Sequence, residues 1–145
     1  MKNTRVFYFL FSLILVSCNK QDPKEQIKFI EGYWEIEEVE VSPDSTITYS
    51  INENVDYFEV EENTGQRTKL RPQMDGTFKT TNSAEKIELK IEQDSLRIYY
   101  KTAFDNWKET VLKASPEELI IKNNQDKIYH YKKYNPISID TNEKE

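Results

Sequence analysis

Cysteine and histidine are almost missing from this chain: Cys18 and His130 each stand alone among 145 residues. A lone cysteine excludes an internal disulfide, and where a zinc site asks for three or four Cys, His or carboxylate ligands in one place, one histidine without a free cysteine cannot supply a usual one. Nucleophilic catalysis needs a nucleophile, a base and an orienting group, whereas His130, set between Tyr129 and Tyr131, reads as a surface imidazole. Glycine is as sparse. Gly32, Gly65 and Gly76 are the whole supply, so no glycine-rich loop can cradle a phosphate. No catalytic residue, no metal ligand and no cofactor is therefore assigned, and the chain is expected not to be an enzyme. The abundant carboxylates, such as Glu37, Glu38 and Glu40 or Glu59, Glu61 and Glu62, fall mostly on solvated faces, and no Asp-x-Asp-x-Asp-Gly calcium loop occurs.

Long hydrophobic runs are missing too. The apolar stretch Val6 to Val16 makes a helix of about 16 Å against a hydrocarbon core of about 30 Å, too short to span. With Lys2 and Arg5 before it and Ser17 after it, residues 1–17 have the three parts of a secretory signal peptide. Leu15-Val16-Ser17-Cys18 resembles the lipobox of bacterial lipoproteins, in which the thiol receives a diacylglycerol and the chain is cut before it. That resemblance implies lipidation at Cys18, with palmitate-type chains anchoring the protein to the bilayer without a transmembrane helix. The expected location is the envelope of a Gram-negative bacterium, in the outer membrane, facing the periplasm or the cell surface.

Positive charge is in deficit. The net charge is −6; the signal holds two of the 20 basic residues and none of the 26 acidic ones, so the mature chain carries −8. Affinity for phosphates comes mainly from clustered Lys and Arg, so nucleic acid is excluded as a partner.

What is present is one domain's length of β pattern. After a polar tether, residues 18–21, Asp22-Pro23-Lys24-Glu25 reads as a helix start, with Asp22 as cap, Pro23 at the first position and Glu25 able to reach back. Ile27 and Ile30 give that helix an apolar stripe, and Gly32 ends it. From Tyr33 the apolar period shifts toward two. Ile87, Leu89 and Ile91 alternate with charges; Gln93-Asp94 turns the chain; Leu96, Ile98 and Tyr100 follow on the same face, a hairpin. Further strands are expected at 33–41, 47–51, 55–61, 67–70, 77–80, 104–113, 119–122 and 127–134, between turns such as Asn63-Thr64-Gly65 and Asp75-Gly76. Roughly eight to ten short strands in one domain, residues 22–134, call for a sandwich or for closure into a barrel, which removes exposed edges. Residues 135–145 form a polar tail.

Two details bear on the interior. Trp34 and Ile36 share one parity, Val39 and Val41 the other; a bulge near Glu37 and Glu38 would turn all four inward and bend the strand, as at a barrel corner. On the strand 104–113, Trp107, Glu109 and Val111 share a side. If Trp107 faces inward, Glu109 does too and needs a partner or water; a bulge or an outward Trp107 returns Glu109 to solvent.

Gly32-Tyr33-Trp34, after a short helix and opening the first strand, resembles the G-x-W signature of lipocalins and fatty-acid-binding proteins. With "GYWEIEEVEV", "GQRTKLRPQMDGTF", "FDNWKETVL" and "YHYKKY", the span from Phe29 to Tyr134 is similar to the small lipocalin-like lipoproteins common in Bacteroidetes. The resemblance implies an all-β, up-and-down antiparallel barrel with one short N-terminal helix, in which Gly32 and Trp34 plug the closed end. Departures from larger lipocalins are the absence of a cysteine pair, a polar tail without a helical stripe, and Lys132 and Lys133 where an arginine packs over the tryptophan. The leading functional expectation is binding of a small apolar or amphipathic ligand in a barrel cup, with Trp107 and Glu109 as cavity residues. The alternative is a filled barrel serving as an interaction module for another envelope protein. An open cup of at least roughly 300 Å³ favours the first, a plugged interior the second.

Overall fold

In the computed structural model, residues 20–136 are described. The expected signal peptide, Cys18 and residues 137–145 of the tail lie outside the described residues. None of the described helices is long and apolar enough to cross a membrane.

A five-residue helix, α1 (Pro23–Ile27), precedes nine antiparallel strands: β1 (Gly32–Ser42), β2 (Ser45–Thr48), β3 (Val55–Glu61), β4 (Thr64–Pro72), β5 (Phe78–Glu92), β6 (Ser95–Lys101), β7 (Asn106–Ala114), β8 (Glu118–Lys122) and β9 (Ile128–Lys133). Neighbours in the sheet follow chain order from β3 to β9, and β9 returns to pair with β1. Eight strands thus close an up-and-down barrel. β2 is an added flap: β1 gives its first residues to β3, with Trp34 opposite Asp56, and its later ones to β2, with Glu38 opposite Thr48. Where one partner leaves and the other arrives, Asn52 Nδ2 donates to the Ile36 carbonyl at 2.7 Å and the Tyr49 N–H to that of Glu37 at 2.8 Å. The change of partner therefore leaves those carbonyls satisfied.

The bulge expected in β1 is present. Ile36 pairs with Tyr131 and Glu38 with His130 on β9, so Glu37 is the extra residue. It turns both Trp34 and Val39 into the core. The hairpin of β5 and β6 also forms as read, Glu92 pairing with Ser95. Its turn residues Gln93 and Asp94 have φ of 50° and 55°, the left-handed pair that a two-residue turn joining right-twisted strands requires.

Three expectations are corrected. The pieces 77–80 and 86–92 belong to the single strand β5, because its chain bends without stopping: Asn82 takes a φ of 59°, and the pairing with β4 slips between Thr68 and Leu70. The bent tip lays Phe78 on Tyr33, which stacks on Tyr57, with ring centroids 4.9 and 4.4 Å apart. The turn placed at Asn63-Thr64-Gly65 lies one residue earlier, at Glu62-Asn63, since Glu61 pairs directly with Thr64. Finally, the helix stops at Ile27 instead of reaching Gly32. Asp22 does cap it, its Oδ1 accepting from the Lys24 N–H at 2.9 Å, but Glu25 turns to Lys28 at 2.7 Å instead of reaching back.

The helix is pinned over one end of the barrel. Gln21 exchanges hydrogen bonds with the Ala114 backbone at 2.6 and 3.1 Å, and Gln26, buried, reaches the carbonyl of Leu112, the residue bulged out of the β7–β8 pairing. Behind it the core fills with Ile30, Phe58, Leu89, Leu96, Ile98, Val111, Ala114, Leu119 and Ile121.

Candidate functional site: the interior of the barrel

Trp34 sits at the start of β1, fully buried, at the end that α1 covers. Its Nε1 donates to the Ile30 carbonyl at 2.9 Å, so the indole is tied to the turn between α1 and β1. Lys133 Nζ lies 4.5 Å from the centroid of the ring and donates to the Glu31 carbonyl at 3.2 Å. Lysine thus covers the tryptophan from the last strand, as a cation over an aromatic face; burial pulls its pKa down. Gly32 has φ of 133°, and a Cβ there would stand 2.1 Å from Lys133 Nζ. Glycine is what lets the lysine approach.

Above this apolar floor the interior becomes polar. Alternation on paired strands turns Asp56 (β3), Arg67 and Lys69 (β4), Glu85 (β5), Tyr100 (β6), Trp107 and Glu109 (β7) and Tyr131 (β9) the same way as Trp34 and Phe58. Arg67 is the centre. Its Nε is 2.5 Å from Glu85, its guanidinium is 3.8 Å from Glu109, and its Cζ stands 4.3 Å from the ring of Tyr100 and 5.9 Å from that of Phe58. Burial pushes the guanidinium pKa down, but Tyr100, Glu85, Tyr131 and Asp56 more than offset that and raise it, so Arg67 stays charged. A second pair joins Lys69 to Asp56 at 3.0 Å, and the Tyr131 hydroxyl donates to Asp56 at 3.2 Å.

Trp107 and Glu109 both face this interior. Trp107 stacks on Tyr100 with centroids 5.0 Å apart and rings 9° from parallel, and the Glu109 side chain is 12% exposed. Burial pushes the Glu109 carboxyl up, against the downward pull of Arg67 and the Tyr100 hydroxyl. The hydroxyls of Tyr100 and Tyr131 are pushed well up, chiefly by burial, and stay protonated. The Tyr131 proton goes to Asp56, whereas the buried Tyr100 hydroxyl has no hydrogen-bond partner among the described residues. The His130 ring points the other way, toward Glu40 at 2.6 Å.

Trp107 and Glu109 are thus brought together as their parity implies, and with them comes a set that strand reading passed over: Asp56, Arg67, Lys69, Glu85, Tyr100 and Tyr131. A signal for Arg67 existed. A two-residue turn at Glu62-Asn63 sets Phe58 opposite Arg67, so placing that turn correctly puts the arginine beside a core phenylalanine. Clefts of about 410 and 550 Å³ open elsewhere, the first lined by Glu38, His130 and Lys132 among others, the second by Glu59, Gly65 and Ile87 among others; neither reaches Trp107 or Glu109.

Among curated proteins no sequence matches this chain. Among solved structures, the crystal structure of a lipocalin-like protein from Bacteroides uniformis aligns with a TM-score of 0.47 at 9% identity, covering 72% of this chain and 97% of that one. The family model described as "Lipocalin-like domain" matches residues 30–121, from the buried Ile30 beneath the tryptophan through the inward Ile121 of β8. The chain belongs to the lipocalin-like domain family.

Proposed function

We propose that this protein is a non-enzymatic binder of a small amphipathic molecule, tethered to the envelope membrane through acylated Cys18. The ligand would enter at the end away from Trp34 and set its polar group on the Arg67 cluster. The observation that carries the reading is the pattern of charge inside the barrel: Asp56, Arg67, Lys69, Glu85 and Glu109 point inward from four strands. Buried ion pairs are weak stabilisers, and apolar replacements of similar size commonly serve stability as well or better. A barrel filled for stability alone would be expected to carry apolar side chains there. Arg67 joined to two carboxylates supplies a cation that a ligand's acidic group can share, and Trp107 and Tyr100 offer a stacked apolar wall beside it.

The test is titration of the purified protein with a fluorescent fatty-acid analogue. Tryptophan emission should be quenched to saturation at one ligand per chain, and Glu109→Leu should change the affinity, since its carboxylate stands beside the arginine. The filled-barrel reading draws on the stacking of Arg67 between Phe58 and Tyr100. Absence of saturable binding across lipids, haem and hydrophobic dyes would decide for that reading, an interaction module for an envelope protein.

A further inference from the structure

On the outside of the barrel, across the seam where β1 meets β9, three metal-ligating side chains converge. Glu38 and Glu40 are two residues apart on β1 and share its outward face, and His130 on β9 pairs opposite Glu38. One ligand atom from each lies within 4.8 Å of those of the others, and His130 Nε2 is 2.6 Å from Glu40 Oε1. The Glu37 bulge creates this arrangement. By shifting parity it turns Val39 inward and the two glutamates outward, onto the face that His130 occupies.

The charge balance at this place is one-sided. Among the described residues neither Glu38 nor Glu40 has a lysine or arginine within 4.0 Å; Lys132 is drawn to Glu35 at 3.6 Å, and Glu118 is paired with Lys113. Glu37, Glu117, Glu118 and Lys132 join Glu38 and His130 in lining the adjoining cleft of about 410 Å³, so four carboxylates face a single lysine there. The imidazole is 24% exposed and Glu40 40%, open enough for an ion to enter yet partly shielded from water. The contact of His130 with Glu40 at 2.6 Å leaves Glu38 without a counter-charge.

We propose that Glu38, Glu40 and His130 bind a divalent cation of the zinc class and that the ion clips the first strand to the last. One imidazole nitrogen and two carboxylate oxygens, with water in the fourth position, make a tetrahedral set. Zinc bonds of about 2.0–2.2 Å place such ligands roughly 3.4 Å apart, between the 2.6 Å of the His130–Glu40 contact and the 4.8 Å within which all three ligand atoms lie. This site is independent of any ligand inside the barrel. A metal that binds the folded state and not the unfolded chain raises stability by mass action.

The experiment uses zinc chloride and cobalt chloride with the purified protein. Calorimetry should show one zinc per chain, cobalt should give the visible absorption of a tetrahedral site, and zinc should raise the melting temperature. His130→Ala and Glu38→Gln should each weaken zinc binding at least about tenfold and abolish the thermal shift, while Glu88→Gln on β5 leaves both unchanged. If either ligand variant shifts with zinc as the parent does, or if the parent takes up no zinc saturably, the site does not exist. Glu38→Gln keeps the size of the side chain and the contact between His130 and Glu40, so its loss of binding cannot be ascribed to misfolding.

Discussion

Trp34 is fully buried with its one polar atom satisfied, so removing it empties an aromatic core site. Trp34→Ala is expected to cost about 3–5 kcal/mol, read by urea denaturation. A loss under about 1 kcal/mol, ordinary for a surface change, would show that the indole does not close the barrel. Glu109 has the opposite character, a carboxyl held where burial opposes its charge. Its folded pKa is raised above the unfolded one, so the folded state keeps a proton that the unfolded chain releases. That contribution is complete below the unfolded value and is lost as pH rises through the raised folded value. Glu109→Gln has no proton to lose. Relative to the parent it should gain stability as pH rises from the unfolded value of about 4 through the raised folded one, and a difference that does not vary with pH would overturn this account of the side chain.

At the scale of elements, the turn between β5 and β6 stores avoidable strain. Gln93 and Asp94 both hold positive φ, which costs an L-residue roughly 1 kcal/mol or more and glycine almost nothing. Asp94→Gly is expected to stabilise the protein by up to about 1 kcal/mol, measurable as a rise in melting temperature; a fall would mean that the aspartate side chain serves the turn in some other way. The β1 bulge acts on a larger scale than its single residue. Glu37 reverses the parity of everything after it, placing Val39 in the core and Glu38, Glu40 and His130 together outside. Alternating Trp34, Ile36, Val39 and Val41 made that bulge legible in advance, because only an extra residue lets all four face one way. The slip in β4 and β5 was not legible. Asn82 and its neighbours are polar on both faces, so period-two reading finds no strand there and divides β5 in two.

For the whole molecule, the described chain begins at the end that Trp34 closes. Lys20 Nζ donates to Ser95 at the β5–β6 turn at 3.2 Å, and Gln21 is bound to Ala114 at the end of β7. A lipid on Cys18, two residues earlier, would hold that end toward the membrane and leave the opposite end, with its polar interior, facing away. Anchoring is tested by Cys18→Ala, because the thioether needs that sulfur. The variant should accumulate as a precursor without acyl label, and labelling by a radioactive fatty acid at the parent level would end the lipoprotein reading.

The amino-acid sequence by itself determined the all-β class, the surest hairpin and the bulge, because each is a local matter of alternation or turn chemistry along one strand; closure into a barrel plugged by Trp34 was implied by the likeness of Gly32-Tyr33-Trp34 to the G-x-W signature. Tertiary structure alone decided which charges went inside and which came together outside. Arg67 faces Tyr100 and Glu109 only because β4 to β7 pair in one register, and His130 reaches Glu38 and Glu40 only because the last strand returns to the first. Those residues are far apart along the chain, and alternation within a strand assigns a side chain to a face without saying which neighbour shares it.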